Sequence, residues 1–412
     1  IDAREMKPVQ GTGEYEVTMR FEAFDDEKIY GMGQYQEKNL NKKGAILELA
    51  QRNSQASVPF MVSSRGYGLF WNNPAIGTAA FGANKTEWYA KRTKKIDYFI
   101  TAGDTPAEIE KQYSDATGRT PMMPEFGLGY WQCKLRYRNQ EELLKVAREH
   151  KRRGLPMDAI VIDFFHWSMQ GNFEFEKRDW PDPEAMVKEL KELGIETVVS
   201  VWPTIDERSK YFGEMSDNGY LVRTDRGCGD HMTWMGNTIF YDATHPGARK
   251  FVFDKCKKNY YDKGIRIFWL DEAEPEYGPY DFDNYRYYAG PALQCSNIYP
   301  VMYAKGFYDG LKEAGEKEKE LKDEELDKIY GEFNPEDPRF REMLDDRDLL
   351  YIDGLECGDL VAELKDKIAG SYVVFAKAGI RFSPKSSAEI RRCFEEENRD
   401  VVLTKIRGKG NI

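Results

Sequence analysis

The feature that most constrains this chain of 412 residues is a change in its apolar pattern near residue 120. Before that point, short apolar or alternating runs occur at 15–21, 58–62 and 67–71, separated by turn-forming residues such as Asn72-Asn73-Pro74. Alternation with a period of two and frequent turns are typical of antiparallel strands. The pattern therefore predicts an N-terminal antiparallel β-sandwich over residues 1–120.

From residue 121 to 315, strand-like apolar runs alternate with amphipathic helical patterns, which indicates βα units around a parallel sheet. Four units are recognisable, with strands at 126–131, 159–163, 196–202 and 265–271 and helices at 140–153, 183–193, 247–263 and 299–313. We interpret this region as the first half of a (β/α)8-type barrel, within a multidomain protein. Each strand ends in an aromatic or acidic residue, and barrel enzymes build their active sites at the carboxyl ends of their strands.

Residues 316–412 form a tail with a mixed α/β pattern that we leave unassigned. Its first part, 316–326, is a mixed-charge run that is most simply a solvated helix. Beyond it, β-like runs at 349–352, 372–376 and 401–406 are separated by helical patterns at 360–368 and 387–397. These patterns leave two alternatives open, a tail that completes the barrel and a tail that folds independently.

The composition narrows the class of partner. An aromatic share of 14%, chiefly Tyr and Phe, suits a surface that stacks on flat apolar ligand faces, and sugars have such faces. A net charge of −11 argues against nucleic acid or an anionic membrane as the main partner, because phosphate binding needs a basic patch. We therefore expect a small neutral substrate, no nucleic acid and no membrane partner. The sequence is compatible with a homo-oligomer.

The cysteines and the start of the chain give information on the cellular compartment of the protein. Six cysteines are scattered without a CxxC pair, so we expect reduced thiols and no zinc site. The sequence shows no signal-peptide pattern and no apolar run of about 20 residues. These observations predict a soluble, cytoplasmic protein, although Ile1 in place of methionine suggests a trimmed or partial chain.

An acidic segment follows the fourth strand. Asp271 closes the apolar run, and Glu272, Glu274 and Pro275 come directly after it. Cleavage of a glycosidic bond with retention needs an ionised carboxylate to attack the anomeric carbon and a protonated carboxyl to assist the leaving group. From the residues alone, a plain acidic loop after a buried strand explains the segment equally well.

The segment Trp269-Leu270-Asp271-Glu272-Ala273-Glu274-Pro275 resembles the W-x-D-x-x-E-P signature of glycoside hydrolase family 31, the retaining α-glucosidases and α-xylosidases. Further segments resemble the same family in the same order, at 30–34, 66–73, 129–137, 161–167, 199–203 and 241–249. The resemblance covers roughly residues 10–315. It implies hydrolysis of terminal α-glucosidic or α-xylosidic bonds of a small saccharide, without a metal or an organic cofactor.

The resemblance also implies roles for individual residues. Asp271 is the expected nucleophile, Glu274 its acidic neighbour, and Asp163 a partner for sugar hydroxyls. The aromatic residues expected to line the sugar pocket are Phe164, Phe165, Trp131, Trp202 and Trp269. For each aromatic, ordinary core packing is the plainer alternative. His166 is a further candidate for substrate contact, although a lone histidine is more often structural.

The resemblance ends near residue 315. The family carries its acid/base on a later W-S-G-D-type motif, whereas this sequence has no Trp after Trp269. Asp353 and Glu356 are the tail carboxyls that could stand in for it. The alternative to a working hydrolase is therefore an impaired or truncated homologue that only binds saccharide. Another barrel enzyme acting on a carbonyl substrate would need a lysine or metal site that the sequence does not show.

Overall fold

The computed structural model describes residues 2–119, 121, 123–226 and 236–316, together with the backbone of 372–377 and 401–406. The chain divides into two compact units, Ile1–Lys317 and Glu318–Ile412. The first unit contains both regions for which the sequence predicts a family resemblance. None of the helices in the described ranges is both long and apolar enough to cross a membrane.

The N-terminal region is built from antiparallel strands. In chain order they are β1 (Ala3–Pro8), β2 (Tyr15–Glu22), β3 (Ile29–Gln34), β4 (Ile46–Leu49), β5 (Ala56–Ser63), β6 (Tyr67–Trp71), β7 (Gly77–Phe81), β8 (Lys85–Thr93) and β9 (Tyr98–Ala102). One sheet has the order β1-β2-β8-β7-β4 and the other has the order β3-β5-β6-β9. The helix α1 (Pro106–Thr117) follows.

Period-two alternation explains why these two sheets pack together. On β2, Val17 and Met19 are fully buried, while Thr18 between them is only partly buried. Their cluster includes Met61 from the opposite sheet, and Trp71 stacks on Trp88 with ring centroids 5.9 Å apart. A core shared by two sheets in this way confirms the predicted β-sandwich.

The second region begins with a short strand and continues as βα units. Its elements are β10 (Trp131–Gln132), α2 (Gln140–Arg152), β11 (Ala159–Ile162), α3 (Pro183–Glu192), β12 (Glu196–Val201), β13 (Thr204–Asp206), α4 (Phe212–Asp217), β14 (Arg223–Thr224), β15 (Thr238–Phe240), α5 (Pro246–Asn259), β16 (Ile267–Leu270), β17 (Tyr285–Tyr287), β18 (Gly290–Pro291), α6 (Ala292–Cys295) and α7 (Tyr299–Glu313). Four of the strands form a parallel sheet with the order β10-β11-β12-β16.

Helix starts follow from local capping. The side chains of Asn139, Asp182 and His245 accept hydrogen bonds from first-turn amides of α2, α3 and α5, which satisfies donors that the helix itself leaves free. α7 has the predicted bounds, and α2 and α3 each end one residue before theirs.

The prediction of a strand at 126–131 is wrong. Residues Glu125–Leu128 form a 3₁₀ helix, and pairing begins only at Trp131, which lies opposite Ala159. Leu128 and Tyr130 are exposed, so this stretch lacks the two-sided burial that an interior parallel strand needs.

The tail is described only in part. The backbone of β19 (Tyr372–Lys377) pairs in parallel with that of β20 (Val401–Ile406), where β-like runs were predicted. The charged run beyond residue 316, the run at 349–352 and the helical patterns at 360–368 and 387–397 lie outside the described residues.

Candidate active site

The two faces of the parallel sheet determine which side chains meet at its carboxyl end. On one face, Phe268 and Leu270 of β16 pack on the large core formed with the helices. On the other face, Ala159 and Val161 of β11 form a small cluster with Val198, Trp131 and Ile267. Because successive side chains of a strand alternate between faces, the second face continues toward Asp163, Trp202 and Asp271.

Asp271 is held at the end of β16 by β12. The Trp202 indole Nε1 donates a hydrogen bond to Asp271 Oδ2 at 3.0 Å, and the Asp271 amide donates to Val201 O at 3.1 Å. Trp202 and Asp271 are 69 positions apart in sequence. The neighbouring strand therefore fixes both the backbone and the carboxylate of Asp271.

Asp163 lies beside Asp271 on the same face. Its Oδ1 accepts a hydrogen bond from the Phe164 amide at 2.8 Å, and its Oδ2 accepts one from Cys133 Sγ at 3.6 Å. Partial burial raises the pKa of Asp163, and the negative charge of Asp271 adds to that rise. The structure thus brings together the two carboxyls for which the resemblance implies the roles of nucleophile and partner for sugar hydroxyls.

An aromatic wall of Phe164, Phe165 and Trp202 stands next to these carboxyls. Phe164 stacks on Trp202 with centroids 5.1 Å apart and an interplanar angle of 27°, and the Phe165 centroid is 5.6 Å from that of Trp202. Arg136 lies over both phenylalanine rings, at 5.7 and 5.2 Å. Phe165 adopts a positive φ of 57°, a conformation that is costly for a bulky side chain and is concentrated at functional sites.

The remaining predicted aromatics lie lower on the same face. Trp131 packs in the small cluster and stacks with Phe126 at 6.1 Å. Trp269 points to the same side and is 47% exposed. Both residues therefore occupy the face that carries Asp163 and Asp271.

Glu274 and Glu272 follow Asp271 in a tight loop. Burial raises the pKa of Glu274, and Glu276 and Asp271 raise it further. Glu272 is only 6% exposed, and burial together with the charges of Glu276, Asp271 and Glu274 raises its pKa to about 9. The loop thus contains two carboxyls whose environment favours the neutral acid.

His166 is placed inside the protein. It is 1% exposed, with Nδ1 2.9 Å from Asp163 O and Nε2 2.9 Å from the Tyr260 hydroxyl. Burial lowers its pKa to about 4. With both ring nitrogens engaged, its geometry favours the structural interpretation over contact with a sugar.

Several site residues were not identified from the sequence. They are Cys133, Arg136, Trp167 and Glu272. All four lie within or beside segments that carry the family resemblance, so proximity to a motif was the available signal. An open cavity of about 460 Å³ also adjoins the wall through Arg136.

Asp353 and Glu356 lie outside the described residues. Across the described ranges, no group of three or more His, Cys, Asp or Glu side chains is arranged to hold a metal ion. Of the cysteines in those ranges, Cys133 is exposed and Cys256 and Cys295 are buried, and all three are free.

Comparison with known proteins agrees with this fold. Residues 120–322 match the model of the glycosyl hydrolases family 31 TIM-barrel domain, and residues 3–78 match the glycosyl hydrolase 31 N-terminal galactose mutarotase-like domain. An uncharacterized family 31 glucosidase of Pseudescherichia vulneris is 60% identical over 318 residues, which are 77% of this chain and 60% of that protein. Alpha-xylosidase A of Aspergillus niger is 36% identical over 73% of this chain and 44% of its own length.

Among solved structures, a GH31 alpha-xylosidase from a soil metagenome, complexed with xylose, shares 61% identity with a TM-score of 0.75. The match covers 77% of this chain and 47% of that one. The chain therefore spans roughly half the length of the relatives it matches. With two domain models of one family in the right order and a sandwich followed by βα units, the chain belongs to glycoside hydrolase family 31.

Proposed function

We propose that this chain carries the nucleophile side of a retaining α-glycosidase site that acts on a terminal α-xylosyl or α-glucosyl unit. The observation that carries the proposal is the setting of Asp271, an ionisable carboxyl at a strand end, oriented by Trp202 Nε1 and facing Asp163. Relatives named alpha-xylosidase, one of them complexed with xylose, favour the xyloside.

The chemistry assigned to these residues proceeds in two displacements. The Asp271 carboxylate attacks the anomeric carbon, the bond from that carbon to the leaving oxygen breaks, and the leaving oxygen takes up a proton. Water then attacks the same carbon and releases a proton, which balances the proton taken up in the first step. The ester to Asp271 breaks, and the sugar leaves with its original anomeric configuration. The aromatic wall provides an apolar, water-poor side on which polar contacts from Asp163 are strengthened.

Hydrolysis of an aryl α-xyloside, followed by NMR of the first-formed sugar, tests the proposal. We expect α-xylose as the first product, release of the aryl group that falls to background in Asp271→Asn, and full activity in the matched control Asp309→Asn. Asp309 lies on α7 and pairs with Lys305. First-formed β-xylose, or activity that survives in Asp271→Asn, would refute the assignment.

A second candidate function is saccharide binding without turnover. The observation that favours it is that the printed sequence contains no Trp after Trp269 and therefore no W-S-G-D-type motif. Loss of a general acid slows departure of an alcohol by roughly 10² to 10⁴ but affects a good leaving group less. A protein that hydrolyses an aryl xyloside but not a disaccharide would lack an effective general acid while keeping the nucleophile. Calorimetric binding of xylose with neither activity would support the binding function alone.

A further inference from the structure

Glu272 is a buried acid that the proposed chemistry does not use. It directly follows Asp271, is 6% exposed, and has a positive φ of 56°, which turns the backbone sharply out of β16. Its Oε2 is buried and has no hydrogen-bond partner within the described part of the chain. A carboxyl in such a place is costly to keep ionised, because burial removes the water that stabilises its charge.

The groups that face Glu272 are mainly acidic. From its own loop come Glu276, Asp271 and Glu274, and Glu276 hydrogen-bonds to it. From α7 comes the phenol of Tyr303, whose hydroxyl donates to Val201 O at 2.8 Å. Two carboxyls joined by a hydrogen bond need one proton between them. Glu272 is the buried member of the pair, at 6% exposure, and the burial that raises its pKa to about 9 favours the proton on Glu272 at neutral pH.

Glu276 connects this pair to the β-sandwich. The Asn53 side-chain amide, in the turn between β4 and β5, donates to Glu276 Oε2 at 2.7 Å, and the Asn53 backbone amide donates to the Tyr280 hydroxyl at 3.2 Å. Beside it, the Arg52 guanidinium lies 4.5 Å from the centroid of the Tyr280 ring. A chain of contacts thus runs from the sandwich turn, through Glu276, to the residue next to Asp271.

We propose that Glu272 is a positioning residue, a neutral carboxylic acid that donates a hydrogen bond to Glu276 and so fixes the Asp271 strand end against the β-sandwich through Asn53. The role in positioning a nucleophile rests on the proposed function, whereas the protonation state does not. Loss of the proton from Glu272 places adjacent negative charges in one small loop. These charges repel one another, which loosens the loop from the β-sandwich.

Infrared difference spectroscopy tests the protonation state without reference to activity. Subtracting the spectrum of Glu272→Gln from that of the wild type at pH 7 should leave a protonated-carboxyl C=O band that titrates away near pH 9. The matched control Glu313→Gln, an exposed residue at the end of α7, should leave no such band. A wild-type spectrum without the band at pH 7 would overturn the proposal.

The positioning role is tested by the rate at which a fluorinated glycosyl fluoride labels Asp271. Glu272→Ala, which removes the donor, should label about tenfold more slowly with unchanged affinity for the reagent, while Glu272→Gln should recover most of the rate because its amide can donate to Glu276. The wild-type rate should fall above pH 9, and that of Glu272→Gln should not.

A variant of the sandwich turn completes the test. Asn53→Ala should also slow labelling, whereas the control Asn84→Ala, an exposed asparagine in the turn between β7 and β8, should not. Equal rates in Glu272→Ala and wild type would overturn the positioning role. A wild type that never labels would overturn the proposed function instead, while the infrared result would still decide the protonation state of Glu272.

Discussion

Trp202 has two roles at the candidate site, as a hydrogen-bond donor and as part of an aromatic surface. Its indole Nε1 donates to Asp271 Oδ2, and its ring forms part of the aromatic wall with Phe164. The sequence predicted Trp202 as a pocket residue but not as a hydrogen-bond donor, because the partner lies 69 residues away. Strand-end residue types can thus be predicted locally, whereas their pairing depends on the register of β12 against β16.

The first prediction separates the two roles of Trp202. Trp202→Phe keeps an aromatic ring against Phe164 but removes the donor to Asp271. We expect kcat/KM for an aryl xyloside to fall about tenfold or more, since hydrogen bonds to charged groups contribute about 1.5–3 kcal/mol. An unchanged kcat/KM would show that the indole N–H does not orient the carboxylate.

The second prediction concerns His166 and acid. Its pKa is about 4 in the folded protein and 6.5 ordinarily, so between these values only the unfolded chain binds the proton. Proton binding to the unfolded chain therefore leaves the free energy of unfolding unaffected above about pH 6.5 and lowers it progressively as the pH falls toward 4. Urea unfolding should show a lower free energy of unfolding at pH 5 than at pH 7 in the wild type and in the control His150→Gln. The decrease should be smaller in His166→Gln.

At the scale of elements, the period of the apolar residues was the reliable signal. α7 was predicted with its bounds intact because an apolar stripe and Pro300 near its start define it locally. The strand predicted at 126–131 failed because two glycines and exposed side chains there do not support pairing, and only the partner strand shows where pairing starts. α5 and α7 cross closely where Gly306 lies against Arg249 and Gly310 lies against Phe253, and the two glycines were the sequence signal for this crossing.

The third prediction tests that crossing. A Cβ added at Gly310 would lie 2.2 Å from a ring carbon of Phe253, so Gly310→Ala should lower the free energy of unfolding by about 1–3 kcal/mol. Gly213 in α4 has no atom within 4 Å of such a Cβ. Gly213→Ala should be neutral, or stabilising by up to about 1 kcal/mol. Equal urea midpoints for the two variants would contradict the account of the crossing.

At the scale of the whole unit, hydrogen bonds that are remote in sequence join the sandwich to the barrel half. The Asn297 side-chain amide donates to Leu49 O at 3.0 Å and to Ala75 O at 3.1 Å, and the Ile76 amide donates to Leu293 O at 2.9 Å. These partners are more than 200 residues apart in sequence, so no local pattern predicts them. The sequence predicted both domains but not the surface on which they meet.

The fourth prediction concerns this junction. Asn297→Ala leaves two backbone carbonyls without their donor, which should lower the free energy of unfolding by about 1–3 kcal/mol. Amide hydrogen exchange at Ile76 should accelerate, while exchange at Val17 in the sandwich core should not. Unchanged exchange at Ile76 would show that the side chain of Asn297 does not hold the junction.

The central claim is that Asp271 is a nucleophile, and covalent labelling tests it most directly. After incubation with a fluorinated α-xylosyl fluoride, mass spectrometry of the digested protein should find one added sugar on the peptide that contains Asp271, and none in Asp271→Asn. Fluoride is a good leaving group, so this step depends little on the acid/base. A folded protein that stays unlabelled, or that carries the sugar on another carboxylate, would contradict the account.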